Sequence, residues 1–310
     1  MFENKRIAIV GGGSWATALA KIVLTNVDEI NWFIRRSEVI EEFKRTGKNP
    51  TYLNSATFDI SRIHFTDDIN VVVRDSDILI LAIPSPYLEP TLKKIKRTMR
   101  SKVVISAVKG MIPEKNQIVT DYLHERFNVP DDNLLVIAGP CHAEEIAPLL
   151  QTSYVRTCTS VDVLGLEYTS VMKNIYSIAG GICQSLRYGD NFQAVLISNA
   201  LQEIEHFTAA LSSVHRDIDA SGYLGDVLVT AYSKFSRNRQ FGQMIGMGYS
   251  VKAAQLEMEM VAEGYYGTYC IHQANERLGV KLPIVDAMYA ILYEHKSPTF
   301  VIQELTTHLQ

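Results

Sequence analysis

Residues 6–20 read RIAIVGGGSWATALA. An apolar run with β-branched Ile7, Ile9 and Val10 meets Gly11 and Gly13, and an alanine-rich helical pattern follows at once. Strand, tight turn and helix opening in that order can hold a dinucleotide pyrophosphate. Gly11 permits the turn, and Gly13 lets backbone N–H groups approach the phosphates with no side chain in the way. Ala16 is small enough for the helix to sit close against its strand. The unpaired N–H groups and positive dipole end at Ser14 and Trp15 would then face the anion. Glycine pairs also make ordinary turns; the position directly after a buried-looking strand singles this one out.

The 310 residues allow two domains, each with its own core. Residues 1–160 alternate short apolar runs with helical patterns, and strands are expected at 6–11, 30–34, 77–83, 103–107 and 134–138. Helices are expected between them, at 15–26, 38–46, 87–97 and 115–127. This alternation predicts a Rossmann-like, doubly wound parallel sheet covered by helices, with ligands at the carboxyl ends of the strands. Residues 161–310 lose the strand signal. Val171, Ile175, Ile178 and Ile182 recur at helical steps, and further helical patterns run through 192–211, 251–261, 268–278 and 284–293. The fold class is therefore α/β with an all-helical C-terminal domain, and a small-molecule cleft is expected where the halves meet.

A net charge of −4 argues against broad nucleic-acid binding, which normally needs a basic face. No apolar run approaches the roughly 20 residues that span a bilayer. The N-terminus MFENKRIAIV has no signal-peptide pattern, so a cytoplasmic location is expected. Cys141, Cys158, Cys183 and Cys270 show no metal-ligand spacing and read as free thiols. A large helical half suggests a homodimer as the partner arrangement.

The second strand pattern, INWFI, ends in Arg35 and Arg36, where NAD-binding chains usually place an acid about 20 residues after the glycines. Arginine there can pair with the 2′-phosphate of NADP, so NADPH is the expected cofactor, with NADH also admissible. The plainer alternative is two solvated arginines opening a helix.

Three further segments could carry chemistry. Lys109, just after the strand pattern VVISA, would sit at the carboxyl edge of the sheet, or is simply a surface charge. Lys173 shares a helical face with Ser177 and Gly180. The pair Gly180–Gly181 costs about 1 kcal/mol per glycine inside a helix, which implies either a close approach to the backbone or close helix packing beside a snorkelling lysine. Residues 221–239, SGYLGDVLVTAYSKFSRNR, bring Asp226, Thr230, Ser236, Arg237 and Asn238 together. A helix start carrying an arginine and an amide suits a phosphate; a solvated basic cap is the alternative.

The blocks GGGSWATALA, AVKG, AGPCHAEEIA, MKNIYSIAGGI, GYLGDVLVT, SRNRQFG and VAEG occur in one order. In that order the chain resembles the bacterial NAD(P)-dependent glycerol-3-phosphate dehydrogenases along nearly its whole length. The resemblance implies reduction of dihydroxyacetone phosphate to sn-glycerol 3-phosphate. Beside Gly11, Gly13 and Arg36, read above from the residues themselves, it implies cofactor contacts at Ser14, Trp15, Arg35, Lys109, Ala143, Arg237, Val261 and Glu263. It implies a substrate site of Lys109, Gly139, Cys141, Ser236, Arg237 and Asn238, and Asn174 and Thr230 are expected to fix the polar network of that site. Lys173 matches the family's proton donor and acceptor, with Lys109 assisting and Asp226 holding it.

Two departures stand out. Cys141 replaces a serine common in the family, and a thiol is a poorer donor than a hydroxyl. The segment 147–154 is short where the family adds a further strand and helix. Two other functions fit the residues less fully. One is a dehydrogenase of a 3-hydroxy acid or an opine, with Arg237 on a carboxylate. The other is a catalytically silent NADP-binding sensor.

Overall fold

The computed structural model describes residues 5–137, 147–233, 235–258 and 261–310. The chain divides into two compact units, Met1–Val108 with Val119–Val161, and Lys109–Ile118 with Asp162–Gln310.

The first unit runs β1 (Ile7–Val10), α1 (Ser14–Val23), β2 (Ile30–Phe33), α2 (Ser37–Thr46), β3 (Ile63–Thr66), α3 (Ile69–Asp75), β4 (Ile78–Leu81), α4 (Ser85–Leu92), β5 (Val103–Ser106), α5 (Val119–Phe127), β6 (Leu134–Val136) and α6 (Ala147–Leu150). The sheet has six strands in the order β3-β2-β1-β4-β5-β6, every neighbouring pair parallel. Central β1 and β4 carry IAIV and ILIL, buried at every position. Parallel strands covered on both faces read as continuous apolar runs, which is why these two are legible in the sequence. Chain order reverses between β1 and β4, paired Val10 to Leu81, so the carboxyl ends of these strands flank the topological switch point.

Strand β3 is not expected from the sequence. It is the outer strand, only Ile63 of its four residues is buried, and so it lacks an apolar run. Helix α3 also escapes the pattern; Asp68 caps it by accepting from Asn70 N at 2.8 Å. Several expected helices are shorter at one end than the pattern suggests. Past Val23 the amides of Thr25 and Asn26 turn back onto Ile22 and Val23. Residues before Val119 form an isolated antiparallel bridge, Ile112 to Gln117, instead of a first helical turn. Helix α6 occupies the shortened segment. Its Leu149 and Leu150 are buried in the core, and Asn26 Nδ2 donates to the carbonyls of Leu149 and Gln151.

The second unit contains α7 (Val163–Ser185), α8 (Asp190–Leu211), α9 (Asp226–Tyr232), α10 (Arg237–Gly246), α11 (Val251–Glu257), α12 (Glu263–Leu278), α13 (Pro283–Leu292) and α14 (Pro298–Leu305). Every residue of α7 from Gly165 to Cys183 is buried, so its apolar stripe is only one side of a wholly enclosed helix. Helices α8, α9, α10, α12 and α13 all pack on it. The glycines mark the α7–α10 crossing. A Cβ on Gly181 would lie 2.1 Å from the Arg239 carbonyl oxygen, and one on Gly242 would lie 2.1 Å from that of Ile178. Close helix packing thus accounts for Gly181. The snorkelling lysine offered beside it does not occur, because Lys173 is buried at its amine.

Candidate active site

In the first unit the glycine turn is shaped for an anion. Gly11 adopts φ +139°, where a Cβ would meet the Ala82 carbonyl oxygen at 2.4 Å, so no other residue fits there. Gly13 caps α1 with extended backbone and no side-chain cap, and a Cβ on it would meet nothing within 4 Å. That arrangement leaves room for a phosphate before the first-turn N–H groups of α1. Side chains outside the motif brace the turn. Trp32 Nε1 donates to the Gly11 carbonyl at 2.7 Å, and Asn49 Nδ2 donates to the Gly12 carbonyl at 3.2 Å and to Thr17 Oγ1 at 2.8 Å. The sequence reading singles out neither; the Asn49–Pro50 dipeptide signals a turn but not the bracing role of Asn49.

Among the expected cofactor residues, Ser14 and Trp15 open α1. Trp15 Nε1 donates to the Ala107 carbonyl at 3.1 Å, so the indole is fixed beyond the end of β5. Arg35 and Arg36 follow β2, both exposed, and neither forms an ion pair with a described residue. These residues fit a dinucleotide and carry cationic charge where a 2′-phosphate would be read. Gly139, Cys141 and Ala143 lie outside the described residues.

In the second unit the polar residues converge on α7. The Lys173 ammonium donates to the Asp226 carboxylate, with the two side chains 3% and 9% exposed. The Lys109 amine also lies against Lys173. Burial and the neighbouring Lys109 charge push the Lys173 pKa down to about 8, with Asp226 opposing them. Asn174 sits one residue on. Its Nδ2 donates to the Lys109 carbonyl at 3.0 Å and to the Ser170 carbonyl at 3.1 Å, and its Oδ1 accepts from Asn238 Nδ2 at 2.9 Å. Asn238 Oδ1 in turn accepts from Gly264 N at 2.9 Å, which ties α7, α10 and the start of α12 together. Both amide hydrogens of Asn174 are spent within the protein, so it can act on Lys109 directly and can only accept from a ligand.

Ser177 lies one turn further along α7. Ser177 Oγ donates to the Thr230 carbonyl at 3.1 Å, so Ser236 is the donor in its 2.8 Å contact with Ser177 Oγ. Ser236 also caps α10, accepting from Arg239 N at 3.3 Å. Thr230 Oγ1 donates back to the Asp226 carbonyl at 2.8 Å. Arg237 is the first residue of α10, half-buried, with no carboxylate partner among the described residues. Val261 and Glu263 lie at the start of α12, Glu263 buried and Val261 half-buried.

The first unit thus carries a glycine turn open to an anion, and the second a buried lysine–carboxylate pair with a second lysine beside it. The family model for the NAD-dependent glycerol-3-phosphate dehydrogenase N-terminus matches residues 6–163, and that for its C-terminus matches residues 162–303. The chain belongs to the NAD-dependent glycerol-3-phosphate dehydrogenase family.

This dehydrogenase is 31% identical over 324 residues to a glycerol-3-phosphate dehydrogenase (NAD(P)+) of Prosthecochloris aestuarii, covering 97% of each chain. One from Salinibacter ruber is 32% identical over 324 residues, covering 97% of this chain and 95% of the relative. The aligned span exceeds the 310 residues of this dehydrogenase, so these relatives carry residues with no counterpart in it. The crystal structure of glycerol-3-phosphate dehydrogenase from Coxiella burnetii shares the fold, with TM-score 0.87 and 24% identity over 97% of this chain and 98% of that one.

Proposed function

We propose that this dehydrogenase reduces dihydroxyacetone phosphate to sn-glycerol 3-phosphate with NADPH, and admits NADH, supplying the backbone of glycerophospholipids. The buried Lys173–Asp226 pair with Lys109 beside it carries the reading.

When bound, the reduced nicotinamide supplies the hydride. The ketone oxygen then gains a full negative charge and needs a proton. Lys173 polarises that oxygen as an ammonium and gives up its proton, after which the amine is recharged from solvent. A pKa of about 8 suits an acid working near neutral pH. Asp226 holds the ammonium in place, Lys109 adds positive charge at the developing alkoxide, and Asn174 fixes the Lys109 backbone. Arg237, with the first-turn N–H groups of α10 and the Ser236–Asn238 framework, binds the phosphate. Its binding energy holds the ketone in reactive geometry.

Gly11, Gly13, Ser14 and Trp15 hold the pyrophosphate at α1, and Arg35 and Arg36 hold the 2′-phosphate. By family resemblance Gly139 and Cys141 border the substrate, and Ala143, Val261 and Glu263 the cofactor, while Thr230 helps fix the polar network. The free thiols Cys158, Cys183 and Cys270 match a reducing cytoplasm. A homodimer is the assembly we propose, on the size of the helical unit.

The test is NADPH oxidation with dihydroxyacetone phosphate beside a panel of 2-oxo acids. Turnover confined to the phosphorylated ketone supports the assignment. Preference for a 2-oxo acid overturns it.

A further inference from the structure

The N-terminal end of α7 carries a second buried charge cluster that the chemistry above does not use. Asp162 caps α7, its Oδ1 accepting from Gly165 N at 3.1 Å. Arg216 donates to both carboxylate oxygens, Nε to Oδ2 at 2.6 Å and Nη2 to Oδ1 at 3.0 Å, with the two side chains 5% and 6% exposed. The Tyr223 hydroxyl donates to Oδ2. Gly165 is required beneath them, since a Cβ there would lie 2.0 Å from Asp162 Oδ2 and 2.5 Å from Arg216 Nε.

Tyr223 belongs to a π-turn, Ser221–Gly225, that leads straight into α9. The Asp226 N–H itself closes this turn, donating to the Ser221 carbonyl five residues back. Such turns are rare and concentrate at functional sites. A one-residue change of register rotates a helical side chain by about 100°. Relaxation to ordinary α register would therefore swing Asp226 off Lys173. A buried ion pair is weak evidence for stability in itself, because desolvation offsets its attraction.

We infer that Asp162, Arg216 and Tyr223 form a positioning device that locks the π-turn and thereby aims Asp226 at Lys173. The inference rests on the reading of Lys173 as proton donor. Asp162 supplies the anchor on α7, Arg216 orients it by donating to both carboxylate oxygens, and the Tyr223 hydroxyl connects the turn to it.

The experiment uses Tyr223→Phe, which keeps the ring and removes the hydroxyl. Its control is Tyr176→Phe, which removes a different buried hydroxyl of α7, the one that donates to Glu203 at 3.2 Å. The rate of dihydroxyacetone phosphate reduction is followed against pH, with KM for NADPH and the melting temperature of each variant. Tyr223→Phe is expected to lower kcat roughly tenfold. It should also move the alkaline limb to lower pH, because a carboxylate that has swung away no longer favours the charged lysine. KM for NADPH should hold. Tyr176→Phe should keep the limb in place whatever it does to melting. A wild-type limb and kcat in Tyr223→Phe overturn the inference, as does an equal displacement in Tyr176→Phe. Should Tyr223→Phe not fold, Arg216→Lys, which keeps the charge and loses the fork, takes the same test. Lys173→Ala separates the two claims. If it keeps turnover, the proton-donor reading falls and takes the trio with it. If it is inactive while Tyr223→Phe behaves as wild type, the trio alone falls.

Discussion

Asn174 Nδ2 donates to the backbone carbonyl of Lys109 at 3.0 Å, so the neighbour of one lysine in sequence fixes the main chain of the other. Asn174→Asp would set a carboxylate oxygen against the Lys109 and Ser170 carbonyls, which now receive hydrogen bonds. Losing those bonds inside the protein costs about 1–3 kcal/mol each. Urea unfolding should show that loss, and kcat should fall with it as Lys109 loosens. A variant with wild-type kcat would show that the Lys109 backbone needs no such hold.

The pH dependence has opposite signs in the two directions. Ketone reduction needs Lys173 protonated, so its kcat should fall as pH rises through about 8. Alcohol oxidation needs the neutral amine, so its kcat should rise over the same range and level off above it. Profiles for both reactions under saturating substrate check this. Limbs of the same sign would assign the titration to another group.

The sheet is readable in the sequence because its central strands are apolar on both faces, as in IAIV and ILIL. Strand β3 is not, since an outer strand with one buried residue has no such run. The two lysines and Asp226 stand out as residue types within motifs, but spacing alone leaves each lysine with a surface reading. What decides between the readings is three-dimensional: α7 is enclosed on every side, so a lysine on it is buried and must find a carboxylate. Asn49, Trp32 and Tyr223 stay hidden for a related reason. Each acts through a partner far along the chain, and a local pattern cannot encode that.

Cofactor choice should follow Arg35 and Arg36. Replacing both with serine would remove the charge-assisted bonds proposed for them, each worth about 1.5–3 kcal/mol. KM for NADPH should rise at least tenfold while KM for NADH stays nearly constant. An equal rise for both cofactors would remove the two arginines from 2′-phosphate recognition.

Phosphate recognition is separable as well. Arg237→Ala should weaken dihydroxyacetone phosphate far more than it weakens unphosphorylated dihydroxyacetone supplied in large excess. Steady-state kcat/KM for both ketones gives the comparison. Equal losses would place Arg237 elsewhere in the reaction.

The proton-donor role of Lys173 is probed most sharply by kcat of Lys173→Ala beside its NADPH dissociation constant. General acid catalysis contributes about 10²–10⁴-fold. Turnover of dihydroxyacetone phosphate should fall by at least a hundredfold on that scale, with NADPH held as tightly as by the wild type. Wild-type turnover in that variant would contradict the assignment of Lys173 as the proton donor.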